Sequence, residues 1–157
     1  MALMADKFEE WLKKHRRKYA LTDSSYKKCY QKKYRKEYSG PVNSELATYG
    51  DAVLKLALCM LLYDNVDKLT EKKQNYESDE VLVNVIAKHY GILEYLRYDK
   101  QSKKDLKVDN YVYEGDKHKY IATAVESVLG AIFMENKDMS EICEIVKEWV
   151  KLIDAES

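Results

Sequence analysis

A chain of 157 residues with 46% hydrophobic side chains has room for one globular domain with a real core and not for a second folded module. A single proline, five glycines and apolar positions recurring mostly at three- and four-residue intervals speak against a β-rich fold and predict an all-α domain. The 27 basic and 27 acidic residues cancel, yet residues 7–36 hold 12 of the basic ones against Glu9, Glu10 and Asp23, a surplus of nine that acids elsewhere offset.

In chain order, DKFEEWLKKHRRKY at 6–19 sets Phe8, Trp11 and Leu12 on one face with cations opposite, the pattern of an amphipathic first helix. ALTDSSY at 20–26 offers Thr22, Asp23 and Ser24 as caps for a second helix over 25–38, in which Tyr26, Tyr30, Tyr34 and Tyr38 repeat every four positions between lysines. Two readings suit that stripe: packing against the domain or a second copy of it, or stacking on unpaired bases. A basic segment on an otherwise acidic body suits a protein that meets a polyanion and keeps carboxylates for a divalent metal; a solvated surface has the same composition. SGPVNS ends the segment, and Asn43 or Ser44 caps a strongly apolar helix from Glu45 to about Leu62.

A polar connector and a short helix follow, then Ser78 caps SDEVLVNVIAKHYG, with Gly91 as its stop and ILEYLRY as a short continuation. Residues 99–117 read as a charged, irregular loop containing Lys100, Lys103, Lys104 and Lys107. A second strongly apolar helix begins at His118, with Ile121, Val125, Val128, Leu129 and Ile132 at helical spacing, and an amphipathic helix from Met139 closes the chain. Cys29, Cys59 and Cys143 show no paired spacing and read as reduced thiols, while His15, His89 and His118 form no zinc pattern with them. The N-terminus lacks a signal-like apolar run, and residues 45–62 are short for a bilayer and carry Asp51 and Lys55, so a cytoplasmic protein without membrane contact is expected.

Asp51 and Glu126 interrupt the two most apolar helices. A carboxylate there must pair with a base, reach solvent or hold a metal, and Gly50 beside Asp51 permits close approach of a neighbouring helix or of a ligand.

The stretch ELATYGDAVL at 45–54 resembles the signature helix of the ribonuclease III family, and KYIATAVESVLGAIF at 119–133 resembles its second signature. ALTDSSY is similar to the family's Ala-Leu-Thr-His-x-Ser-Tyr segment, and LTEKK with the helix around Glu80 and Leu82 stands where Leu-Thr-x-x-Arg and Glu-x-Leu-Ala occur. These four matches, in order over about residues 20–134, imply one ribonuclease III domain over 1–157, without a C-terminal double-stranded RNA-binding domain. Of the four acids that hold metal in many members, this chain keeps Asp51 and Glu126 and has Ala47 and Thr123 in place of the others. The Mini-III branch carries the same two replacements, and ATYGDA and ATAVES resemble its signatures; the ALTDSSY segment is nearer to the four-acid members, which makes the chain a Mini-III-like variant.

The resemblance implies a homodimeric endoribonuclease that cuts double-stranded or structured RNA, ribosomal RNA precursors among the candidates, leaving 5′-phosphate and 3′-hydroxyl ends. Asp51 and Glu126 would be both catalytic acids and ligands of Mg²⁺, with Mn²⁺ as a substitute, and Thr123 would bond a metal-bound water. Phosphate contacts are expected from Lys27, Lys28, Lys32, Lys33, Arg35 and Lys36, and from Lys100, Lys103, Lys104 and Lys107. An accessory ribosomal protein is a possible partner. The competing reading is a non-catalytic RNA-binding or ribosome-associated protein on the same fold.

Overall fold

The computed structural model describes residues 6–15, 18–63, 68–100 and 111–156. Lys103, Lys104 and Lys107 lie outside the described residues. The fold is all-α, with helices α1 (Lys7–Lys14), α2 (Tyr26–Tyr34), α3 (Ser44–Leu61), α4 (Leu69–Glu77), α5 (79–90), α6 (Lys119–Asn136) and α7 (Met139–Ala155). Short 3₁₀ turns at Tyr19–Leu21, Ile92–Glu94 and Gly115–His118 join them. Within α5 the stretch Leu82–Ala87 is π-helical, flanked by α-helical Asp79–Val81 and Lys88–Tyr90.

The two apolar helices α3 and α6 form the centre, and glycines set how close they come. A Cβ built on Gly50 would overlap the backbone carbonyl of Glu126, and one on Gly130 would overlap that of Leu46 and lie 2.9 Å from the Gly50 nitrogen. Only hydrogen at both positions lets the two backbones touch, so of the two roles open to Gly50 the structure shows helix packing. Leu54, Leu58, Ile121, Val125 and Leu129 fill the adjoining core completely.

The outer helices seal this pair. Phe8 of α1 is fully buried between Tyr90 and Trp149, with ring centroids at 4.5 and 5.2 Å, a burial worth about 2–3 kcal/mol. Asp6 fixes the start of α1 by accepting from the Phe8 and Glu9 amides at 3.0 and 3.1 Å, and accepts from the Tyr90 hydroxyl at 2.9 Å. Burial and the Asp6 charge push the Tyr90 hydroxyl pKa strongly upward, so it stays a donor.

Several boundaries differ from the sequence expectation. The first helix stops at Lys14 instead of Tyr19, with His15 as its C-cap. The second ends at Tyr34, because Arg35 turns left-handed at φ 54°, and Tyr38 folds back from the following loop. Thr22 is no helix cap: its hydroxyl oxygen accepts from Arg97 Nε and Nη2 at 3.0 and 2.8 Å, which ties residues 20–23 to the segment after α5. Ser78 and Gly91 bound α5 as expected, Ser78 Oγ accepting from the Val81 amide and Gly91 turning at φ 62°. The three cysteines are free thiols, each half-buried.

Replacing Gly130 by alanine forces the α3 and α6 backbones apart. Urea unfolding of Gly130→Ala is expected to lose about 1–3 kcal/mol relative to the parent, and an unchanged midpoint would mean that the crossing is looser than described.

Candidate active site

The glycine crossing decides where the two acids sit. Asp51 follows Gly50 on α3, and the Gly50 position abuts the backbone of Glu126 on α6, so their side chains emerge from one junction and hydrogen-bond to each other. Of the outcomes open to Asp51, the structure shows solvent contact and a basic partner: its side chain is 43% exposed and takes a 3.0 Å ion pair from Lys55, one turn along α3. Glu126 is the more enclosed of the two. Burial, then the hydrogen bond to Asp51 and the nearby charges of Asp51 and Asp79, push its carboxyl up from an ordinary 4.5 to about 8, with Lys55 opposing. Burial and the neighbouring Asp51 thus favour the protonated form of Glu126 in the metal-free protein.

Lys55 is the built-in counterion. Its hydrogen bond and attraction to Asp51 raise its pKa, with smaller help from Glu77 and Glu126. Neither Lys55 nor Asp79 was singled out as a site residue from sequence. The i,i+4 spacing from Asp51 was a visible signal for Lys55. Asp79 reaches the site only because α5 begins beside α6, and no local spacing encodes that.

Ala47 and Thr123, at the two replaced acid positions, add no charge. Ala47 is buried, and the Thr123 hydroxyl donates to the Lys119 carbonyl at 3.0 Å, which leaves its oxygen as an acceptor only. Among the described residues no group of three or more His, Cys, Asp or Glu side chains is arranged to enclose a metal ion. The donor set is two carboxylates, which fits a hard cation that keeps several waters and not one wrapped by protein.

The family model for the ribonuclease III domain matches residues 44–137, from the first turn of α3 to the end of α6. The chain belongs to the ribonuclease III family. No curated protein matches the chain. As a ribonuclease III domain it carries the fold of endoribonucleases that act on double-stranded RNA and are generally dependent on divalent metals. The matched span contains Asp51, Glu126, Ala47 and Thr123, whereas the basic helix α2 precedes it.

Lys27, Lys28, Lys32, Lys33, Arg35 and Lys36 are all exposed, on α2 and the turn that ends it. Lys100, also exposed, lines the same cleft as Lys32 and Lys33. Among the described residues no helix is long and apolar enough to cross a membrane.

The Glu126 shift sets a pH dependence. In metal-free protein the folded state keeps a proton that the unfolded chain gives up above about pH 4.5, so this group costs stability progressively from there to about pH 8 and no more beyond. With EDTA present, Glu126→Gln should unfold later than the parent at pH 9, with a gap that shrinks on acidification and closes below about pH 4.5. A gap independent of pH, read from urea midpoints at pH 4, 6.5 and 9, would refute the shift.

Proposed function

We propose that this chain is a divalent-metal-dependent endoribonuclease for double-stranded or structured RNA, with Asp51 and Glu126 as its catalytic acids and metal ligands. One observation carries the reading: the backbone contact at Gly50 places the carboxylates of Asp51 and Glu126, from neighbouring helices, at one junction, where burial and the Asp51 charge disfavour ionisation of Glu126. A cation relieves that arrangement by replacing the proton. Mg²⁺, or Mn²⁺, would supply Lewis acidity at the scissile phosphate and a water of lowered pKa. Asp51 and Glu126 would hold it, Lys55 would balance the surplus negative charge, and the Thr123 oxygen would accept from a neighbouring water. Ala47 and Thr123 at the other two acid positions support a Mini-III-like, two-acid variant.

The exposed cations of α2 and Lys100 suit an A-form duplex, which is held through phosphates and 2′-hydroxyls. Products with 5′-phosphate and 3′-hydroxyl ends, ribosomal RNA precursors as substrate, an accessory ribosomal protein and a cytoplasmic setting complete the proposal. A homodimer belongs to it as well. Tyr49, Leu56, Met60 and Tyr63 recur along one face of α3 and just past its end, each about half exposed or more, a stripe too apolar to be left to water on a protein of this size.

Incubation with a long RNA duplex and with single-stranded RNA, each with Mg²⁺ or EDTA, tests the activity. The duplex should be cut only with Mg²⁺, and Asp51→Asn or Glu126→Gln should slow cutting by about a hundredfold or more while helical content persists. Binding without cleavage by the parent would favour the non-catalytic, ribosome-associated reading. For the dimer, sedimentation should show two copies, and Leu56→Glu with Met60→Glu should give monomers; a monomeric parent would overturn that part.

A further inference from the structure

Helix α2 carries three tyrosines and buries none of its residues. The rings instead build a surface of their own. Tyr30 and Tyr34 lie 4.6 Å apart between centroids, Tyr26 and Tyr30 6.1 Å, and Tyr38 closes edge-on against Tyr26 at 5.4 Å, its hydroxyl donating to the Pro41 carbonyl at 3.0 Å. Facing them runs the segment 96–100, pinned by the bridge between Thr22 and Arg97. The Arg97 guanidinium, already bonded to Thr22, stands 4.8 Å over the Tyr26 ring and closes one end.

Between the two walls lies a cleft of about 420 Å³, within the range of small-ligand sites. Lys32, Lys33 and Lys100 line it together with Tyr30 and Tyr34, and α2 contributes no acid. A cleft lined by aromatic rings, of which Tyr34 is the most exposed, and by several cations selects a ligand that is flat at one end and anionic at the other. Bases inside a duplex have no free face to offer. We infer that the cleft between α2 and residues 96–100 binds one unpaired RNA nucleotide, its base stacked on Tyr30 and Tyr34 and its phosphate at Lys32, Lys33 and Lys100. This inference rests on the reading of the chain as RNA-binding, and it adds a single-strand contact outside the carboxylate site, on a helix that precedes the family match.

Fluorescence anisotropy with a 5′-labelled single-stranded tetraribonucleotide tests the cleft apart from duplex cleavage. Tyr34 is 49% exposed, so Tyr34→Leu should keep the fold, as circular dichroism will check. The tetranucleotide should bind the parent, lose roughly five- to hundredfold in affinity in Tyr34→Leu, and keep its affinity in Tyr34→Phe, which retains the stacking face. A blunt duplex should bind both variants like the parent. Should the tetranucleotide fail to bind, or bind Tyr34→Leu as tightly as the parent, the cleft is no nucleotide site, even if duplex RNA is cut. Displacement by tripolyphosphate as effective as by unlabelled tetranucleotide would also overturn the inference, because the lysines alone would then account for binding. Tyrosine-dependent tetranucleotide binding without any duplex cleavage would uphold the cleft while the nuclease reading failed.

Discussion

Backbone contact between α3 and α6 at Gly50 and Gly130 is the constraint on which the rest of the molecule depends. Side chains normally hold two helices 8–10 Å apart, and hydrogen in place of Cβ removes that spacer at both positions. The residues that flank such a contact are carried into one small volume. Asp51, adjacent to Gly50, and Glu126, whose carbonyl Gly50 faces, are brought together by main-chain geometry instead of by long flexible side chains, so little conformational entropy is lost in holding them there. The surrounding helices supply the apolar wall that makes Glu126 costly to ionise.

That cost is uncommon in a helix that buries Ile121, Val125, Val128, Leu129 and Ile132. A hydrophobic residue at position 126 would suit the core better, and replacing buried charged groups by apolar ones is often neutral or stabilising. Local violations of good packing concentrate where a protein binds or reacts. Lys55 tempers the violation without removing it, since it answers Asp51 directly and Glu126 only at a distance.

Much of this was legible in the sequence where periodicity is strong. The apolar spacing of α3 and α6, the Ser78 cap and the Gly91 stop all describe real elements, because each rests on interactions within a few residues. The juxtaposition of Asp51 and Glu126 was readable only through the family resemblance, since 75 positions separate them and no local rule links them. Two other features had no local signature. The end of α2 at Arg35 hides in a run of good helix formers, and the left-handed turn there brings Tyr38 back onto Tyr26 and Tyr30. Thr22 looked like a cap because hydroxyls commonly cap; its partner Arg97 lies beyond α5, and tertiary pairing took precedence.

The π-helical turn within α5 has a bearing on how this chain tolerates insertion and deletion. Hydrogen bonds reaching five residues instead of four let Leu82–Ala87 accommodate one more residue than an ordinary turn, while Leu82, Val83, Ile86 and Ala87 all stay buried. Asp79 and Tyr90, at opposite ends, owe their relative orientation to that extra residue. Deleting it would restore regular winding and rotate one end by about 100° against the other. Either the Tyr90 hydroxyl would swing away from Asp6, or Asp79 would swing away from Glu126. The irregular turn thus acts as a phase adjuster, keeping one end of α5 in register with the N-terminal helix and the other with the carboxylate pair.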